Sequence, residues 1–259
     1  MALIDKLTAI ADAIRGKTGK TDEMTLDQMV TEIEGIQTGG GGGDTAMEDG
    51  LIDGTVTHYE NDRVTIISRV FNSNTTILSI SLPNVVKSVG ANIFNGCNKL
   101  QEINLPKLEQ MGGGNDFRDC KALKRAVFPR HILCGTTFLN CTSLEYLDAG
   151  AEVKESEYSS MQTMFNVSGC TALKTIVLRY NKVVSLNNVS IFNNSPFASG
   201  GTGGVLLIPS ALVESYKTAT NWSVIYGYGH NRFLALEDYT VDGSITGEID
   251  RDKVNALFE

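Results

Sequence analysis

The sequence predicts an α+β repeat fold, a solenoid of short parallel strands preceded by a small N-terminal helical module. Phe recurs at 71, 94, 117, 138, 165 and 192, so successive copies start 23, 23, 21, 27 and 27 residues apart, a period typical of stacked-repeat architectures. Each copy then carries two apolar residues two positions apart, and Pro83, Pro106 and Pro129 follow them at a constant spacing of 23. A run of five Gly at 39–43 separates this repetitive part from a helical pattern at the start of the chain.

Residues 1–37 form the helical module. Leu3, Leu7, Ile10 and Ile14 fall at steps of 4, 3 and 4, which places them on one seam of a helix. In "TLDQ" Thr25 can cap a second helix and Gln28 can reach back to it, with Met29, Ile33 and Ile36 along one side. Helices this short are not stable alone in water. Their stripes must pack, either on each other in a hairpin or in self-association or docking. The Gly-rich linker, 38–50, is a flexible tether.

The repeat occupies 51–209. Aligned on Phe, it reads "FNSNTTILSISLP" from Phe71, "FNGCNKLQEINLP" from Phe94, "FRDCKALKRAVFP" from Phe117 and "FLNCTSLEYLDAG" from Phe138. A looser copy, "FNVSGCTALKTIVLR", starts at Phe165, and a degraded one runs from Phe192 to Pro209. Ile80 and Leu82, Ile103 and Leu105, Ala126 and Phe128, Leu147 and Ala149, and Ile176 and Leu178 face one side of a short strand, because side chains alternate along a strand. Pro closes the strand because it cannot donate to a ladder. Phe, Cys and Leu, three apart, fit a tight helical or 3₁₀ return whose one side enters the same core. The predicted repeat core is therefore Phe94, Cys97 and Leu100; Phe117, Cys120 and Leu123; Phe138, Cys141 and Leu144; and Phe165, Cys170 and Leu173.

Five Cys is an odd number, so a complete internal disulfide framework is excluded. Asn74 and Ser195 stand at the Cys position in the outermost copies, which suits a small side chain in a tight turn. Reduced, buried thiols are expected. Residues 210–236 form a closing unit, since an uncapped repeat end exposes apolar surface. In the tail, 237–259, Asp242-Gly243 reads as a two-residue hairpin turn and Asp250 as the cap of a last short helix.

Several chemistries are excluded or weak. A net charge of −8 with scattered Lys and Arg gives no stripe for nucleic acid. No apolar run approaches the length of a membrane helix, so no membrane insertion is expected, and the first 20 residues lack the pattern of a signal peptide. "GKTGKT" at 16–21 lacks the first Gly of a phosphate loop. The segment from Asp238 lacks the closing Glu of a calcium loop. His58, His131 and His230 form no metal-ligand pair, and no nucleophile elbow is present. No catalytic residue, metal or cofactor is assigned. A sugar-processing enzyme would need two carboxylates on one groove, for which Glu102, Asp148 and Glu152 are the candidates.

What remains is a binding surface. The outward positions vary from copy to copy: Ser79 and Ser81, Glu102 and Asn104, Arg125 and Val127, Tyr146 and Asp148, Thr175 and Val177. Arg125, Tyr146 and Asp148, together with Tyr158 of the insertion after the fourth copy, are the favoured contacts, because aromatic and Arg side chains dominate interface energetics. Tyr226 and Tyr228 in the Gly-containing loop "IYGYGH" are a second candidate.

The pattern F-x-x-C-x-x-L-x-x-I-x-L-P over residues 60–210 resembles the BspA-like leucine-rich repeat, in five copies in register. That resemblance extends to "IPSALVESYKTATNWSVI", which looks like the family's closing unit and implies that Val213, Tyr216 and Trp222 cover the open end of the core. The opening 36 residues resemble N-terminal segments of tail-associated and other structural proteins of phages of Gram-positive gut bacteria, and similar tails follow the closing unit in phage-type members. Together these imply a non-catalytic virion protein, made in the host cytoplasm and carried on the particle surface. Leu3, Leu7, Ile10, Ile14, Met29 and Ile33 would attach it to other virion proteins or form a homo-oligomer, a trimer being favoured. The solenoid would bind a host cell-surface protein or glycan. The alternative is a bacterial cell-surface leucine-rich-repeat adhesin, against which the lack of a signal peptide and cell-wall anchor counts.

Overall fold

The structure, a computed structural model, describes residues 56–111, 113–128, 136–150, 165–186 and 188–259. The expected helical module, the Gly linker, Tyr158, Glu152, His131 and Cys134 lie outside the described residues. Chain contacts divide the protein into residues 1–41 and 42–259, and only the second unit is described below.

Parallel strands recur once per repeat. Those beside the outward positions are β1 (His58–Glu60), β3 (Ser79–Ser81), β5 (Glu102–Asn104), β6 (Arg125–Phe128), β8 (Tyr146–Ala149), β10 (Thr175–Leu178), β11 (Val205–Ile208) and β12 (Arg232–Ala235). They form two sheets, ordered β1-β3-β5 and β6-β8-β10-β11-β12. Register follows the sequence alignment: Ile80 faces Ile103, Ala126 faces Leu147, Leu147 faces Ile176 and Ile176 faces Leu206. Shorter parallel pairs run beside the turns, β2 (Ile66–Ile67) with β4 (Lys87–Ser88) and β7 (Thr136–Thr137) with β9 (Phe165–Asn166). One large apolar cluster joins the inward residues of all these copies.

The return segments are consecutive three-residue turns rather than continuous helix. In the second copy the Cys97 amide donates to Phe94 O at 3.1 Å and the Leu100 amide to Cys97 O at 3.1 Å. The residue before the Cys position is left-handed in every copy: Ser73, Gly96, Asp119, Asn140, Gly169 and Asn194 all have φ between 55° and 79°. Small or side-chain-bonding residues tolerate that conformation best. At Gly169 a Cβ would also approach Asn140 Oδ1 to 2.6 Å, so no other residue fits there without movement.

The Cys thiols take a fixed role in this turn. Cys97, Cys120, Cys141 and Cys170 each donate to a carbonyl of the preceding copy, at Phe71, Phe94, Phe117 and Phe138, over 2.9–3.1 Å. All four are free and buried. In the first copy Asn stands at the Cys position, and Asn74 Oδ1 accepts the Thr76 and Ile77 amides at 3.0 and 2.8 Å. In the last copy Ser195 Oγ turns back to Phe192 O at 2.6 Å. Burial pushes the Cys97 thiol up to about 12 and raises Cys141; for Cys170 the neighbouring Cys141 thiol and then burial do the same.

The Phe rings stack along the core at centroid distances of 5.7, 5.0 and 5.0 Å from Phe71 through Phe94 and Phe117 to Phe138. The fifth copy departs from the alignment. Phe165 pairs with Thr136 in the β7–β9 ladder, and Val167, whose carbonyl accepts the Cys170 amide at 3.1 Å, takes the turn position that Phe138 holds in the copy before. The two extra residues between Phe165 and Cys170 are thus absorbed before the turn. Phe165 is still buried, against Phe192 edge to face.

The closing unit consists of helices α1 (Val213–Thr218) and α2 (Trp222–Gly227), and then β12 extends the sheet by one more strand. Trp222 packs within 6.2 Å of Phe192, Tyr216 and Phe233 and donates its indole N–H to Val184 O at 2.7 Å. Tyr216 is fully buried and Val213 partly so. No helix among the described residues is long and apolar enough to cross a membrane.

Asp116 is a buried carboxyl between the second and third copies. Its Oδ1 accepts the Ile93 amide at 3.3 Å, while Oδ2 is buried with no partner among the described residues. Burial raises its pKa to about 6, offset in part by the amides of Ile93, Asn92 and Gly113. A folded pKa above the unfolded one favours the neutral acid, so this contribution is complete below pH ~4 and is lost as pH rises through about 6. Between pH 4 and 7 the stability difference between wild type and Asp116→Asn should shift by up to about 3 kcal/mol in the variant's favour, measured by urea unfolding at each pH. Peptide-resolved alkylation is a second check. At pH 8 a pKa of about 12 leaves roughly one Cys97 in 10,000 as thiolate, so native protein should leave Cys97, Cys141 and Cys170 unmodified by iodoacetamide while denatured protein modifies all three.

Candidate functional site

The outward side of the strands divides into two parts. Over β1, β3 and β5 it is open and polar: His58, Glu60, Glu102 and Asn104 are exposed, and Ser79 and Ser81 half-buried. Cross-strand hydrogen bonds fix this surface, His58 Nδ1 to Ser79 Oγ at 2.6 Å and Asn104 Nδ2 to Ser81 Oγ at 3.2 Å.

From β8 onward the same side is covered by the chain's own tail. Tyr146, Val177, Val205 and Leu207 join Leu236, Ile249 and Val254 in a second apolar cluster. The tail begins with a 3₁₀ turn at Leu236–Tyr239, crosses back through an antiparallel bridge between Thr240 and Ile249, and ends in helix α3 (Arg251–Asn255). Asp250 caps α3 by accepting the Lys253 amide at 3.1 Å. The Asp242-Gly243 turn is longer than two residues: Asp242 Oδ1 accepts the Ser244 amide and hydroxyl at 3.0 Å, and the strands rejoin only where the Val241 amide meets Glu248 O at 2.8 Å.

An ion pair fastens the tail. Arg179 grips Asp148 with Nε to Oδ1 at 2.8 Å and Nη2 to Oδ2 at 2.9 Å. Its Nη1 donates to Ile245 O at 2.7 Å and Gly247 O at 3.0 Å, and Tyr146 OH donates to Asp148 Oδ2 at 3.2 Å. Burial and the Asp148 charge hold the Tyr146 phenol well above its ordinary pKa, with Arg125 and Arg179 opposing. A desolvated pair with every polar atom satisfied is the geometry that offsets the cost of burying charge.

The expected binding residues are therefore not a single exposed surface. Tyr146 and Asp148 are buried, 5% and 3% exposed, because the tail lies over them. Asp148 is spent on Arg179 and forms no carboxylate pair with Glu102, which is exposed on β5. Arg125 is half-buried, its guanidinium 4.0 Å from the Tyr146 ring centroid. Tyr226 is 39% exposed, and it lies in α2 rather than in a loop, with Phe233 and Lys217 against its ring. Tyr228 is half-buried, stacked on His230. No group of three His, Cys, Asp or Glu that could hold a metal lies together among the described residues.

Sequence reasoning missed Arg179. Its signal was present, since Arg stands where the other copies end their strand in Pro83, Pro106, Pro129, Gly150 and Pro209. A further feature missed is a groove of about 340 Å³ between the ends of β6, β8 and β10 and the tail, lined among others by Lys124, Arg125, Tyr146, Lys174, Arg251 and Phe258.

Compared with known families, residues 64–197 match the BspA type leucine rich repeat region in six copies. No curated protein matches the chain.

Arg179→Ala leaves the Asp148 carboxylate buried without its partner and should cost about 3–5 kcal/mol. Denaturant unfolding reads the loss, and hydrogen exchange should show 240–254 opening first. An Asp148→Asn, Arg179→Met double variant should be less destabilised than the single one.

Proposed function

The chain belongs to the BspA-type leucine-rich repeat proteins, and from that premise we propose that it is a non-catalytic, adhesin-like surface protein whose stacked repeats recognise a cell surface. The observation that carries this reading is the split outward side: β1, β3 and β5 present exposed polar side chains on a fixed ladder, while the later strands are closed by the tail. The ligand surface then runs from His58 through Glu102 and Asn104 to Arg125, where the cover begins. A repeated, rigid strand side suits recognition of a protein or glycan, and its contacts are held in place by backbone pairing rather than by loops.

In its finer form the protein is a phage virion component, supported by the resemblance of residues 1–36 to phage structural proteins. The N-terminal helices attach it to other virion proteins or trimerise it, and several copies on one particle raise a weak single-site affinity through avidity. A cell-surface adhesin of bacterial origin is the second reading, favoured by the repeat family itself.

Fluorescently labelled protein should bind host cells saturably, and a Glu102→Ala, Asn104→Ala, His58→Ala variant with unchanged melting temperature should lose most of that binding. Equal binding by the variant would place the contact elsewhere. Deleting residues 1–43 should lower the mass in solution and abolish incorporation into particles; unchanged values on both counts would sink the anchoring role.

A further inference from the structure

The groove beside the tail carries positive charge in a protein of net charge −8. Lys124, Arg125, Lys174 and Arg251 line it, against Glu145 and Glu259. None of the four cations is ion-paired with a carboxylate within 4.0 Å among the described residues. Arg125 and Arg251 line the same groove, and burial, then the Arg251 charge, pull the Arg125 pKa below its ordinary value, with Tyr146, Asp148 and Glu145 opposing. Two guanidiniums without a carboxylate partner in one groove are unfavourable alone and complementary to a planar anion, which each can bind by parallel N–H donors.

The other lining groups narrow the ligand. Tyr146, Ile249, Val254 and Phe258 give the lining its apolar surface. Phe258 is held in position: Arg232 Nη2 donates to Leu257 O at 2.7 Å, and Arg232 and Lys174 sit 5.4 and 5.9 Å from the Phe258 ring centroid. Glu145, Glu259 and the Asn255 amide offer acceptors. Acceptors repel a bare inorganic anion but suit a ligand that also brings hydroxyl donors. A volume of about 340 Å³ is at the small end of ligand pockets, room for a sugar unit rather than a peptide.

We propose that this groove binds a carboxylated sugar unit of a surface glycan, its carboxylate on Arg125 and Arg251 and its hydroxyls toward Glu145 and Asn255. The proposal rests on the surface-recognition reading and gives it a ligand class. It also places the Arg125 end of the open strand side and the covering tail in one site.

Calorimetric titration of the full chain with methyl glucuronide, methyl glucoside and sodium sulfate tests it. Methyl glucuronide should bind saturably, and methyl glucoside should show no binding at the same concentrations. Arg251→Gln should weaken glucuronide binding roughly tenfold or more with no change in melting temperature. Glu145→Gln should weaken it too, because a hydroxyl acceptor is altered. Absence of glucuronide binding overturns the proposal, as does sulfate binding as tightly with Glu145→Gln strengthening both ligands, the behaviour of a plain cationic patch. Cell binding retained without glucuronide binding would remove the groove and leave the surface role. Glucuronide binding without cell binding would do the reverse.

Discussion

Phe carbonyls shared between successive copies are the contacts on which the rest of the fold depends. Phe94 O accepts its own copy's Cys97 amide at 3.1 Å and the next copy's Cys120 thiol at 3.1 Å, and Phe117 O does the same for Cys120 and Cys141. A single oxygen thereby closes one turn and sets the height of the next. The left-handed residue before each Cys makes the closure possible, since it turns the chain without a longer loop. Once the turns are locked at one spacing, strand register follows, and so do the stacked Phe rings, because both are set by the same rise from copy to copy. Cys suits the position for its shape and its weak donor: it is small enough for the core and needs only one acceptor.

The outer copies show the limit of that device. Asn74 satisfies amides of its own turn, and with no thiol above to receive among the described residues, Phe192 O takes the hydroxyl of its own copy's Ser195. At both outer positions of the Cys column a polar residue thus bonds within its own copy. The far end of the core is closed by large aromatic surface: Trp222 packs its ring against Phe192, Phe233 and Tyr216, and the Trp222 indole and Tyr216 hydroxyl bond to Val184. Repeat ends cannot remain apolar and open, and here the C-terminal end is covered by a helical pair.

Much of this could be read from the residues. The Phe-x-x-Cys-x-x-Leu spacing fixes the turn, and alternation in strands such as "EIN" and "RAVF" fixes which side is core. The fifth copy was misread by one turn position because Phe165 has the right identity and Val167 the right place; only the ladder distinguishes them. The binding side was legible in part. Outward residues change from Ser79, Ser81, Glu102 and Asn104 to Val127, Val177, Val205 and Leu207 along the stack, a drift from polar to apolar that signals a cover. The identity of the cover was not legible, since it is a segment some 70 residues distant from Arg179 held by its carbonyls, and carbonyls leave no mark in a sequence.

That cover changes the meaning of Arg125 and Tyr146. On an open sheet they would be two exposed contacts of equal standing. With the tail docked, Tyr146 is buried and Arg125 half-buried, and Arg251 of the tail lines the same groove. The Asp148–Arg179 pair is what allows this: it consumes the one carboxylate on β8 that could have neutralised Arg125, and it pins Ile245 and Gly247 so that the following turn delivers α3 to the groove. A buried pair that contributes little net stability by itself thus holds the segment that carries Arg251 to the groove. With Asp148 committed to Arg179, none of the groove's four cations is ion-paired within 4.0 Å among the described residues, although Glu145 and Glu259 also line it.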